Sequence, residues 1–355
     1  MSGPDRHWLG VSRRGRDALE GSSVLITGGT GSLGQALVHE ILKDPTVRRV
    51  VVFSRDELKQ SVMAQLPFVV SDERQRLRFF LGDIRDRDRL RRALEGIDVV
   101  VHCAALKQVP AGEYNPTEFM KTNVLGSQNV IEASLDTGVG RVVSLSTDKA
   151  SSPINLYGAT KLMSDKLMVA ANQIKGNRDL RLSVVRYGNV MGSRGSVVPL
   201  FLDRARWGVL PITHPDMTRF HLSLDEGVGL VLWAIKHARG GEIFVPKIPS
   251  FRITDLAVAI APSARSEIIG VRPGEKIHEE MIAEGDGLAT VDVGPYYAIL
   301  PHGEGKTLVR YDDGPPAKPV ETGFRFSSER NDRFLTVNQL RELIRETVDP
   351  NFEPT

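Results

Sequence analysis

A doubly wound α/β fold on a parallel sheet is predicted by the order of patterns along the chain. Short apolar runs alternate with amphipathic stretches through its first half, and a glycine-rich turn joins the first run to the first helical stretch. Strand–helix repetition of this kind needs crossover connections, which give a parallel sheet covered by helices on both faces. A third observation, Tyr157 and Lys161 spaced four apart just past the fifth run, marks a chemical site at one edge of that sheet.

The predicted strands cover residues 23–27, 49–54, 78–81, 99–103, 141–146 and 182–187. They are rich in Val, Leu and Ile with little alternation, as expected of strands buried on both faces. Between them lie helical stretches, among them 35–42, 116–138 and 155–174. Beyond Tyr187 the alternation fades, Pro and Gly become frequent, and strands are short and scattered (242–245, 296–300). A smaller C-terminal region covering the open end of the sheet is expected. It finishes in a helix over 337–347 with Thr336 as N-cap. Met163 and Met168 read as helix core.

Length and composition bound the function. At roughly 150 residues per domain, 355 residues make about two domains, or one large domain with an appendage. Hydrophobic residues at 41% and charged residues at 25% exclude a disordered, collagen-like or coiled-coil chain. Lys and Arg total 46 against 44 Asp and Glu, and a net charge of +2 is too small a bias to point to nucleic acid or an anionic membrane. Cys103 is the single cysteine, so an intrachain disulfide and a multi-cysteine zinc site are excluded, and a reducing, cytoplasmic compartment fits. The histidines show no HxH or HxxxH spacing, so no metal is expected. His214, His221 and His278 read as surface or packing residues, and Cys103 as a small core residue. No apolar run approaches the length of a membrane span. The N-terminal segment carries Arg13, Arg14 and Arg16 without an apolar stretch, and reads as a frayed extension.

The strand 23–27 runs into Gly28-Gly29-Thr30-Gly31-Ser32-Leu33-Gly34. Gly28 permits the tight turn, Gly31 lets a pyrophosphate approach the backbone, and Gly34 lets the helix pack on the strand. The helix then meets the phosphates with free N–H groups and the positive end of its dipole. This is a Rossmann-type dinucleotide site. Such sites carry an Asp or Glu about 20 residues further on when the ligand is NAD. Here Ser54 and Arg55 stand in that place, and a hydroxyl with a guanidinium suits the 2′-phosphate of NADP. Asp56, one residue later, is the competing feature unless it begins the next helix. Asp83 stands where an adenine-binding side chain belongs and equally where a helix N-cap does.

Tyr157 and Lys161 share one helix face. An ammonium beside a phenol favours phenolate, so Lys161 is expected to lower the Tyr157 pKa and to reach ribose hydroxyls. Ser146-Thr147-Asp148-Lys149 leaves the C-terminal edge of the fifth strand, where ligands bind in such sheets. Thr147 is placed to hydrogen-bond a sugar hydroxyl and the tyrosine.

These motifs resemble the extended short-chain dehydrogenases that act on nucleotide sugars. The segments 146–150, 156–161, 187–190, 192–199, 217–220 and 272–276 narrow the match. Their sequences are STDKA, LYGATK, YGNV, GSRGSVVP, MTRF and RPGEK. As an ordered set they resemble the inverting UDP-N-acetylglucosamine 4,6-dehydratases, soluble enzymes that open pseudaminic acid biosynthesis. The likeness runs from about Ser22 to Pro301 and includes the segment 54–60. Retaining hexose dehydratases pair Asp with Glu where Lys149 stands here. The membrane-bound sugar dehydratases typically carry methionine where Tyr157 stands, together with transmembrane helices.

The resemblance implies a lyase that dehydrates UDP-N-acetylglucosamine with inversion at C5, using a recycled NADP. The alternatives are a C5-retaining dehydratase, a nucleotide-sugar 4-epimerase, or a catalytically silent NADP-binding regulator. It implies catalytic roles for Thr147, Asp148, Lys149, Tyr157 and Lys161, with Lys149 as base at C5 and Asp148 as acid at C6. Cofactor contacts are implied at Gly28, Thr30, Gly31, Ser32, Leu33, Gly34, Ser54, Arg55, Asp83, Ile84, Ala104, Ala105, Lys107, Asn123, Tyr157 and Lys161. Substrate contacts are implied at Lys107, Asn189, Arg194, Gly195, Val197, Arg272 and Glu275. A homo-oligomer, dimer or hexamer, is implied as well. The chain then divides into an N-terminal extension (1–21), an NADP-binding domain (22–190), a mainly UDP-sugar-binding region (191–301) and a C-terminal extension (302–355).

Overall fold

Six parallel strands build the first part of the sheet, β1 (Ser23–Thr27), β2 (Arg49–Ser54), β3 (Leu77–Leu81), β4 (Val99–His102), β5 (Arg141–Thr147) and β6 (Arg181–Tyr187), most of them apolar runs buried on both faces, with the edge strand β3 largely open. They lie in the order β3-β2-β1-β4-β5-β6 in this computed structural model, which describes residues 18–191, 197–301, 311 and 316–355. The order reverses between β1 and β4, the switch point at which such sheets bind ligands beyond their C-terminal ends.

The sheet does not stop where the sequence alternation fades. Ile243–Pro246 adds parallel to β6, and Tyr296–Ile299, Thr290–Asp292 and Lys318–Pro319 continue it antiparallel, giving ten strands. The first two match the short runs read at 242–245 and 296–300, whereas the three- and two-residue strands are too short to give a run-length signal. A separate core lies beyond the sheet. There Phe201, Leu210, Ile212, Leu256 and Ile260 pack with Leu340 and Ile344 of the final helix, Val337–Thr347. Thr336 caps that helix in a reciprocal box with Gln339. Among the described residues no helix is long and apolar enough to cross a membrane.

Two helix readings are corrected. The stretch expected as one helix over 116–138 is Pro116–Phe119, a π-helical segment Met120–Leu125 and then Gly126–Thr137. The wider turn sets Asn123 inward, where its carboxamide bonds both backbone groups of Leu106 and the Thr160 hydroxyl. Met168 is buried as expected, but Met163 is 48% exposed. Helical spacing alone does not separate a face buried in the monomer from one left open.

Candidate active site

The glycine turn leaves β1 with Gly28 at φ +65°, where an added Cβ would lie 2.9 Å from the Ala104 backbone. Gly34 sits against Gly29, where an added Cβ would approach to 2.5 Å, so the helix Ser32–Leu42 starts hard against the turn. Gly31 is its N-cap and supplies no side-chain cap, leaving the first N–H groups for a ligand. This donor set fits a dinucleotide pyrophosphate. Gly28, Gly31, Ser32, Leu33, Gly34, Ala104, Ala105 and Lys107 line one cavity of about 1060 Å³ at the C-terminal edge of the sheet.

Past β2, Asp56 caps the helix Glu57–Ala64 by accepting from the Lys59 N–H, so it is not a free carboxylate beside a ribose. Ser54 Oγ accepts from Gln60, and the half-exposed Arg55 lies 3.6 Å from Asp83. Asp83 is not the N-cap of the next helix. Asp86 caps Arg87–Ala93, while Asp83 holds the Arg85 backbone and guanidinium. Thr30 and Ile84 are buried, with Ile84 packed against Gly126. Asn123 serves the loop after β4, as described above.

The chemistry gathers where β5 ends. Asp148–Ala150 forms a short 3-10 turn and Leu156–Ile174 follows, with Asn155 as its N-cap. Between them Ser152 takes a left-handed φ of +43° and donates to Glu280. The helix comes so close to the turn that a Cβ on Gly158 would run into the Lys149 carbonyl oxygen. Glycine inside the YGATK segment therefore brings Tyr157 and Lys161 up to Asp148 and Lys149.

Lys149 Nζ lies 3.0 Å from Asp148 Oδ1 and 3.3 Å from Glu279 Oε1, and it donates to Asn189 Oδ1 at 3.4 Å. Thr147 Oγ1 donates to Asp148 Oδ1 at 2.9 Å. Burial would lower the Lys149 pKa, but the Asp148 and Glu279 carboxyls outweigh it and raise it. This reverses the lowered pKa that a lysine base requires. Asp148 is raised by burial and by the Glu279 charge, the direction an acid requires. Burial also pushes Tyr157 up to about 12, against the opposing pull of Lys149 and the Thr147 hydroxyl. The expected lowering by Lys161 is therefore not met. Lys161 itself is lowered by burial, with Asp165 opposing. Cys103 is pushed up to about 12 by burial, the behaviour of an inert thiol.

Arg272 and Glu275 pair at 2.9 Å in a turn that lines the same cavity, and Gly274 takes φ +77° there. Asn189 and Val197 also line it. Arg194 and Gly195 lie outside the described residues. Two residues of this centre were given no role from sequence. Arg219 is buried beside Glu275 (3.5 Å) and Glu279 (3.6 Å), and Glu279 is a buried carboxylate against Lys149. Arg219 falls within the MTRF segment, and Glu279 stands just past RPGEK.

A glycine-turn dinucleotide fold with Tyr157 and Lys161 beside an Asp–Lys turn defines an extended short-chain dehydrogenase/reductase with a nucleotide-sugar-sized cavity. The family described as polysaccharide biosynthesis protein matches residues 24–301. The chain is 47% identical to the UDP-N-acetylglucosamine 4,6-dehydratase (inverting) of Campylobacter jejuni, over 92% of this chain and 98% of that one. It is 39% identical to a protein of Rickettsia canadensis named UDP-glucose 4-epimerase, over 91% and 95%. The crystal structure of Pen from Bacillus thuringiensis superposes with a TM-score of 0.83 at 35% identity, covering 92% and 98%. The chain belongs to the polysaccharide biosynthesis protein family and, within it, to the group of the inverting UDP-N-acetylglucosamine 4,6-dehydratases.

Proposed function

We propose that this chain is a lyase that removes water across C5 and C6 of UDP-N-acetylglucosamine, inverts C5 and uses NADP that is regenerated in each turnover. The observation that carries the reading is the meeting of Lys149 and Tyr157 in one cavity beside the glycine turn, with Asp148 buried behind Lys149 at 3.0 Å. A 4-epimerase needs the tyrosine but has no use for an acid–base pair at C5 and C6.

When bound, the nicotinamide supplies the hydride acceptor and donor. The residues of the chain move the protons. Tyr157 takes the proton of the sugar 4-hydroxyl, and Lys161 holds the nicotinamide ribose. Oxidation at C4 makes the C5 proton acidic, because the carbanion is stabilised as an enolate. Lys149, its ammonium proton first released to solvent at its open cavity face, takes that proton as the free amine, and Asp148 donates to the departing C6 hydroxyl. Arg272, Glu275 and Asn189 receive the UDP portion, a guanidinium suiting diphosphate and a carboxylate suiting ribose hydroxyls. The product suits the opening step of pseudaminic acid biosynthesis.

Incubation with UDP-N-acetylglucosamine and NADP, followed by NMR, tests the reading. A 4-keto-6-deoxy sugar is expected, with no net build-up of reduced cofactor. A C4-epimerised sugar with its 6-hydroxyl intact would establish the epimerase instead.

A further inference from the structure

Two carboxyls, Asp148 and Glu279, contact one ammonium, Lys149, at the wall of the cavity, and both are themselves shut off from bulk water. The Asp148 side chain is 1% exposed and that of Glu279 3%. Two carboxylates sharing one buried cation do not both ionise readily, so one of them keeps its proton. Which one is decided by the second cation. Arg219 Nε stands 3.6 Å from Glu279 Oε1, and its guanidinium is anchored by the carbonyls of Thr218, Lys276 and Ile277. Asp148 has no guanidinium partner among the described residues. Its Oδ1 is engaged by Thr147 and Lys149, while its Oδ2 is buried with no hydrogen-bond partner among the described residues.

Resting on the dehydratase reading, we infer that Glu279 is a positioning residue: it carries the negative charge of the Asp148–Lys149–Glu279 cluster, so that Asp148 stays protonated and donates to the leaving C6 hydroxyl. In that step the C5–H bond breaks to the base and the Asp148 O–H bond breaks to the C6 oxygen. The C6–O bond breaks, water leaves, and a C5–C6 double bond forms. Replacing Glu279 with a neutral group leaves Asp148 as the nearest anion for Lys149, which ionises it and removes the acid. The directions of the shifts agree. Burial alone raises Glu279, but Lys149, Arg219 and Lys276 outweigh it and lower it, while Asp148 is raised.

Glu279→Gln and the wild type are compared with NADP and UDP-N-acetylglucosamine in D2O. The Gln variant is expected to oxidise C4 and exchange the C5 proton but to lose water at least about a hundredfold more slowly, at the low end of what a general acid contributes. Recovered UDP-sugar then carries deuterium at C5 with its C6 oxygen retained, and reduced cofactor persists. Glu279→Asp, which keeps the charge, recovers most of the elimination. Unchanged elimination in Glu279→Gln, or equal loss of exchange and elimination, overturns the inference.

If the Gln variant does not fold, the pH profile of wild-type elimination decides. The charged and titratable groups facing Asp148 are Lys149, Glu279, Lys276 and Tyr157. An alkaline limb well above the ordinary carboxyl range near pH 4 supports a protonated Asp148, and a limb within that range overturns it. A wild type that forms no 4-keto-6-deoxy sugar overturns the dehydratase reading and this role together. A working wild type with an unaffected Gln variant overturns this role alone.

Discussion

Asn155 Nδ2 donates to the Gly274 carbonyl at 2.8 Å while its Oδ1 accepts from the Gly158 N–H at 2.8 Å. One carboxamide thus caps the helix that carries Tyr157 and Lys161 and clasps the turn that carries Arg272 and Glu275. The contact is close, since a Cβ on Gly274 would lie 3.0 Å from Asn155 Cβ. The redox end and the proposed UDP end of the cavity are therefore held in register by a side chain with no part in the chemistry.

Asn155→Ala is expected to lose the cap and the clasp together. Cap loss costs about 0.5–2 kcal/mol, read as a lower melting temperature. Freeing the 272–275 turn is expected to raise KM for the UDP-sugar more than it lowers kcat. Steady-state kinetics showing the reverse split would remove Asn155 from this role.

The proposed NADP preference rests on Arg55, which is half-exposed and stands beside Asp83, and on Asp56 being engaged as a helix cap. Loss of a charge-assisted contact to phosphate costs on the order of 1.5–3 kcal/mol. Arg55→Ala is therefore expected to weaken NADP binding by about tenfold to more than a hundredfold while NAD binding changes little. Calorimetry that finds NAD preferred by the wild type would refute the NADP reading.

The phenol of Tyr157 is held up to about 12, chiefly by burial. A group so placed is un-ionised at neutral pH, so its work as a base depends on cations brought close when ligands bind. Tyr157→Phe is expected to retain cofactor binding and to lose turnover by roughly 10²–10⁴, the usual contribution of a general base. Near-normal turnover by that variant would dismiss the assignment.

Strands buried on both faces left their mark as continuous apolar runs, and β1 and β2 fall where those runs begin and end. The Asp148–Lys149 and Tyr157–Lys161 pairs were legible because each is local, set by one turn or one helix face. Glu279 was not, because its significance comes from packing against Lys149, which is distant along the chain. The π-helical turn at Met120–Leu125 leaves no periodic signature, since its residues serve a helix equally well. The charge state of the cluster was not legible either. Neighbouring residues in sequence do not reveal that two carboxyls surround Lys149 and reverse its shift.

The helices over 109–137 and Leu156–Ile174 leave large apolar side chains open to solvent. Tyr114 is 88% exposed, Leu125 56%, and Met120 and Met163 48% each. Apolar area of this kind, left unpartnered in the monomer, is expected to be covered by a second copy through a helix bundle. Light scattering should show a dimer or larger assembly, and Leu125→Glu with Met163→Glu should shift it towards monomer. A wild type that is monomeric at micromolar concentration would refute the interface.

Inversion at C5 is the outcome that separates this chain from retaining dehydratases. Once C4 is oxidised, the C5 proton leaves to a base, and the face on which a proton returns fixes the configuration. Lys149 is the candidate base because its Nζ lies at the mouth of the Asp148 acid, 3.0 Å from Oδ1, with 21% of its side chain open to the cavity. Its raised pKa means that it is an ammonium at rest, ready to return a proton and able to accept one only after giving one up. Arg219 is the neighbouring cation that favours that release. A structural Lys149–Asp148 pair without proton transfer would leave C5 retained. Reaction in D2O is expected to give a C5-deuterated sugar of L-arabino configuration. Lys149→Ala should lose the C5 label and elimination together, while keeping any C4 oxidation that Tyr157 supports. A D-xylo product at short times, or a fully active Lys149→Ala enzyme, would rule Lys149 out as the base.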